Sequence, residues 1–183
     1  MSPILGIIAS SKLVASGSYE SIASATGTGS SGTITFSSIV STYKHLQLRG
    51  VAIWSSNFDV LQLRFNGDSG SNYASHHLMG DGSSAIATGL ASQSRIRLSA
   101  DSYSFSNGVY TPLIIDIQDY ASTTKTKTIR IFLGAEQNTT PARILLASGL
   151  WNSTAAITSV ALSTQSASNF TTETLISLYG IKG

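Results

Sequence analysis

From about Tyr19 onward, apolar side chains recur at every second position in short runs separated by turn residues, the spacing of half-buried β-strands. Ile34 and Phe36 share one face, Leu46 and Leu48 open a run that continues through Val51 and Ile53, and Leu61, Leu63 and Phe65 form the next. The last run leads into Asn66-Gly67, a strong tight-turn signal, so Tyr73 to Met79 is expected as the returning strand. Ile96 and Leu98 alternate with Arg95 and Arg97. Leu113 to Ile117 carries apolar residues of both parities and is expected to be covered on both faces for part of its length. Ile129, Ile131 and Leu133 follow, then Ile144, Leu146 and Leu150, then Val160 with Leu162, and finally Leu175 to Ile181.

That is about ten short strands, with Ser84 to Ser92 the one segment suited to a short helix and no αβ alternation. The pattern predicts an all-β protein, an antiparallel β-sandwich of jelly-roll type, with Leu46, Leu48, Leu61, Leu63, Phe65, Ile115, Ile129, Ile131 and Leu146 in the core. Residues 19–183 are read as this single domain. Residues 1–18 read as an extended N-terminal arm, because Ile4, Leu5, Ile7, Ile8, Leu13 and Val14 follow neither a helical nor a strand period. An apolar segment without its own fold needs a partner, so Ile4, Leu5, Ile7 and Ile8 are assigned to partner binding.

Composition narrows the class. Of 183 residues, 33 are Ser and 19 are Thr, only 11% are charged and 42% are hydrophobic, which excludes both disorder and a salt-bridged helical bundle. A chain of this length buries enough surface to fold without covalent staples. There is no cysteine, hence no disulfide and no thiolate metal site. The net charge is only +2 and the arginines are scattered singly, so no nucleic-acid partner is expected. No stretch approaches the roughly 20 apolar residues of a membrane span. The first ten residues lack a charged leader and a full apolar core, so no secretory processing is expected.

The residues that carry chemistry are few. His76 and His77 are adjacent on a strand and point to opposite faces, which suits a surface histidine beside a packed one better than a shared metal site. Asp68 and Asp81 sit in Gly-rich turns, as calcium ligands or as ordinary turn formers; the ligand density favours the second. Asp116 and Asp119 are three apart and fall on opposite faces, a poor acid/base pair. No nucleophile elbow, phosphate loop or zinc-protease motif is present, and no enzyme activity, cofactor or metal is expected. Three Asn-x-Ser/Thr matches, at Asn138, Asn152 and Asn169, carry little information in a chain so rich in Ser and Thr. Trp54, Trp151 and Tyr73 either stack on glycans or pack in a core or interface.

Four stretches carry a resemblance: Tyr43-Lys-His-Leu-Gln-Leu-Arg-Gly-Val-Ala, Leu61-Gln-Leu-Arg-Phe-Asn-Gly-Asp-Ser-Gly-Ser-Asn-Tyr73, Ser148-Gly-Leu-Trp-Asn-Ser-Thr-Ala-Ala-Ile-Thr-Ser159 and Leu178-Tyr-Gly-Ile-Lys-Gly183. Together they resemble a family of tailed-bacteriophage structural proteins frequent in phages of aquatic bacteria, including cyanophages. The resemblance implies a virion component, a capsid cement or decoration protein with a jelly-roll body. It would be a homotrimer on the outer capsid surface, bound to the major capsid protein, with no catalytic motif. Similar domains also occur in adsorption structures, so the alternative is a tail or fibre protein that binds host surface glycans.

Overall fold

A computed structural model describes residues 17–56, 59–99, 106–136, 142–166 and 168–183. The arm residues Ile4, Leu5, Ile7 and Ile8 lie outside the described residues. Twelve strands and no helix occur among those described. They are β1 (Tyr19–Thr26), β2 (Thr33–Phe36), β3 (His45–Ala52), β4 (Leu61–Phe65), β5 (Tyr73–Gly80), β6 (Ala85–Gln93), β7 (Ile96–Arg97), β8 (Thr111–Ile117), β9 (Lys127–Ala135), β10 (Arg143–Trp151), β11 (Val160–Thr164) and β12 (Leu175–Ile181).

Two antiparallel sheets result, one of eight strands in the order β1-β12-β3-β8-β9-β10-β5-β6 and one of four in the order β2-β11-β4-β7. Four of the pairings are nested: β1 with β12, β2 with β11, β3 with β8 and β4 with β7. The hairpins β5–β6 and β9–β10 interrupt this nest and extend the larger sheet beyond β8. The sheets face each other as a β-sandwich, as the alternation predicts. Leu46, Leu48, Ile115, Ile129 and Ile131 from the larger sheet meet Leu61, Leu63, Phe65, Val160 and Leu162 from the smaller, all 2% exposed or less. Each such side chain contributes roughly 1.5–3 kcal/mol of apolar burial.

Close packing fixes several small residues. A Cβ on Gly149 of β10 would lie 2.9 Å from Ile96 of β7, so glycine lets the two sheets approach there. The Asn66-Gly67 turn forms as expected: both residues have positive φ, 51° and 67°, and the Asp68 amide donates to the Phe65 carbonyl at 2.9 Å. Its consequence differs from the expectation. β4 pairs with β7 and β11, whereas β5 pairs with β6 and β10, so the turn carries the chain from one sheet to the other and does not close a hairpin.

Two further expectations are corrected. Ser84 to Ser92 is not helical: it supplies most of β6, because Ala85 to Leu90 pairs residue for residue with β5 from Gly80 to Ser75. Leu146 is not in the core and remains 50% exposed. The inward parity of β10 belongs to Leu145, Ala147, Gly149 and Trp151, which places Ile144 and Leu146 on the outer face.

Candidate functional site

The outer face of the larger sheet follows from this parity. In register across four strands lie Leu78 of β5, Leu146 of β10, Phe132 of β9 and Ile114 of β8. Leu78, Leu146 and Phe132 are 52%, 50% and 43% exposed. Ala87 of β6 continues the row at one end and Arg49 of β3 ends it at the other. Cross-strand neighbours of this kind touch one another, so the row is a continuous apolar ridge.

Beside it runs a second row in which Ile144, 54% exposed, stands between Gly80 and Gly134. Two glycines leave hollows on either side of a branched side chain. One is a groove of about 610 Å³ lined by Pro112, Ile114, Phe132, Gly134 and Ile144, with Arg49, Arg143 and Glu136 at its rim. The other, about 240 Å³, is lined by Leu78, Gly80, Ala85, Ile144 and Leu146.

On the opposite side of the ridge the row is polar. Arg130 donates to Asp116 Oδ2 from Nε at 3.0 Å and from Nη2 at 2.7 Å, and Gln47 Nε2 donates to Oδ1 at 2.5 Å. Asp116 is 7% exposed, so these bonds compensate a buried carboxylate. The arrangement is apolar relief with a charged border. It suits docking of a surface.

Trp54, Trp151 and Tyr73 do not form a glycan platform. They are 1%, 2% and 1% exposed, and a ring with both faces buried cannot stack on a sugar. Tyr73 stacks on Trp151 with centroids 6.3 Å apart, and Phe65 packs on the same indole at 5.6 Å. Their polar ends are also engaged: Trp151 Nε1 donates to Asp68 Oδ2 at 2.7 Å, while the Tyr73 hydroxyl accepts from the Phe65 amide at 3.2 Å. These three belong to the core, as the packing alternative held. Tyr110, by contrast, is 57% exposed and its hydroxyl donates to Glu173 Oε1 at 3.1 Å.

The turn aspartates are held by hydrogen bonds from the surrounding fold. Asp68 accepts from Trp151 Nε1, Asn72 Nδ2 and the Gly70 amide, and these bonds, the indole first, hold its pKa below the ordinary carboxylate value. Asp81 accepts from the amides of Ser83 and Ser84 and from the Ser83 hydroxyl, with the same effect. No group of three potential metal-ligating side chains occurs among the described residues.

His76 is exposed and His77 buried, on opposite faces as the strand period predicts. Burial pushes the His77 pKa down, and Nε2 lies 2.9 Å from the Arg97 carbonyl, so at neutral pH the ring is uncharged and donates from Nε2. Lys127, fully buried, donates from Nζ to the carbonyls of Ser122 and Lys125 at 2.7 Å and of Thr154 at 3.2 Å. It is a structural cation that ties two loops together.

Sequence reasoning missed Leu78, Phe132 and Ile144 as surface residues. The available signal was consecutive large apolar residues of both parities, Ile131-Phe132-Leu133 and Ile144-Leu145-Leu146. Comparison of the chain with known protein families, with curated proteins and with solved structures gives no match.

Proposed function

We propose that this chain is a non-enzymatic structural protein of a tailed-phage virion, a capsid cement or decoration protein that lays the outer face of its larger sheet against the major capsid protein. The observation that carries the reading is the apolar ridge Leu78–Leu146–Phe132–Ile114 with its flanking grooves. An exposed apolar surface of this continuity marks an interaction site. Covering the exposed half of each of these side chains contributes about 1 kcal/mol apiece, so one copy attaches weakly and attachment rests on many equivalent copies. The body of the protein is assigned as a jelly roll with two inserted hairpins, a reading supported by the nested pairs β1–β12, β2–β11, β3–β8 and β4–β7.

The test is localisation of the polypeptide in an electron-microscopy map of the intact particle, joined to a decoration assay on undecorated shells. The expected result is density over the whole icosahedral surface, and a Phe132→Glu, Leu146→Glu variant that folds normally and fails to decorate. Density confined to a tail or fibre, with retention on host glycans, would sink this reading and support the adsorption protein.

A further inference from the structure

The larger sheet has two edges, and they differ in chemistry. At β1 the edge is guarded: a register shift between Ser21 and Ala23 twists the strand, and Glu20 is paired with Lys182 and accepts from the Tyr43 hydroxyl at 3.0 Å. A bulge and a charge are the devices by which edge strands avoid foreign partners. At β6 neither device protects the pairing stretch. Ala85–Gln93 contains no charged residue and no proline, and its one irregularity, with the positive φ of Ser92, falls at the C-terminal end, leaving Ala85 to Leu90 regular. Among the described residues no strand pairs with its outer side.

The side chains of β6 are also incomplete. Ile86, Thr88 and Leu90 share the inward parity of Met79, His77 and Ser75, but they are only half-buried, because β6 is the terminal strand of the wing, beyond the four-stranded sheet. The outward residues Ala85, Ala87 and Gly89 are small. Ile86 and Leu90 stand symmetrically about Thr88, which makes the strand complementary to itself when run antiparallel.

From these features we infer that β6 is a homotypic docking edge at which a second copy of this chain pairs antiparallel, Thr88 opposite Thr88 and Ile86 opposite Leu90. The contact is isologous, hence twofold. Each copy covers the other's free amides and carbonyls and completes the burial of Ile86 and Leu90. In this register Ala87 stands opposite Gly89 of the second copy, so the apolar ridge of each copy runs into the His76–Ser148–Arg130 row of the other. This assembly departs from the threefold one that the family resemblance implies, and it holds whether or not the ridge binds a shell.

The chain has no cysteine, so one introduced thiol reports the contact without interference. Directly opposed residues of an antiparallel pair bring their Cβ atoms to within disulfide range. Full-length Thr88→Cys is expected to oxidise to a covalent dimer. Ser24→Cys, exposed at the β1 edge, is expected to stay monomeric on the same non-reducing gel. In sedimentation the wild type is expected at twice the 19.1 kDa chain mass and Thr88→Lys at the chain mass, with unchanged circular dichroism. A wild-type monomer or trimer would overturn the inference. So would a folded Thr88→Cys protein that cross-links no better than Ser24→Cys, which decides the matter even if Thr88→Lys fails to fold.

Discussion

The two halves of the eight-stranded sheet are built on the same alternation and end in different surfaces. In the half formed by β12, β3 and β8, inward Leu46, Leu48 and Ile115 are fully buried, while the outward positions mix polar Gln47, Arg49, Asp116 and Ser177 with apolar Val51, Pro112, Ile114 and Leu175. In the wing formed by β9, β10 and β5 the inward residues are buried just as well, yet the outward ones include the exposed Phe132, Leu146, Ile144 and Leu78. A sheet that faces water on one side is expected to be polar there. The wing departs from that rule furthest, in the contiguous row Leu78–Leu146–Phe132, while its inward face already supplies a core. The outward apolar residues are therefore where function should be sought.

That contrast can be broken most strongly in the core. Leu48→Ala removes a side chain with no exposed surface and is expected to cost about 2–5 kcal/mol, read as a lower denaturant midpoint. Gly149→Ala tests the inward face of the wing. The added methyl meets Ile96, and the expected loss is about 1–3 kcal/mol by the same measurement.

Asp68→Asn tests the loop that carries the chain into the wing. Loss of the charge that receives the Trp151 indole N–H is expected to cost about 1 kcal/mol at neutral pH. Because the folded Asp68 pKa lies below its unfolded value of about 3.9, this stabilisation is complete above that pH and is lost as pH falls through the folded value. The wild type should lose stability faster than Asp68→Asn on acidification below about pH 4.

The smallest effect belongs to the outer face. Leu146→Ser is expected to leave stability within about 0.5 kcal/mol of wild type while lowering occupancy in the decoration assay. A loss as large as that of Leu48→Ala would show that the ridge serves folding after all.

The strands were legible because period-two alternation survives wherever one face alone is apolar, as at Leu61-Leu63-Phe65 and Ile129-Ile131-Leu133. The reading failed where both faces are apolar. In β10 the outward aliphatics Ile144 and Leu146 outweigh inward Leu145, Ala147 and Gly149, and only Trp151, on the inward parity, marks the true core side. β6 was illegible for a different reason. An Ala-rich edge strand half-buried on one face lacks the strong amphipathicity that separates strand from helix. The aromatic residues Trp54, Tyr73 and Trp151 were legible as large and conspicuous, but exposure is a property of the assembled sheets and not of local sequence.

The pairing of β1 with β12 governs how the larger sheet is made. β12 lies between β1 and β3, so β1 has no place in the sheet until β12 has emerged from the ribosome. More than 150 residues separate Tyr19 from its partner Ile181, a separation that makes folding slow and leaves strand edges open during synthesis. Loss of residues 175–181 would remove the strand that joins β1 to the sheet.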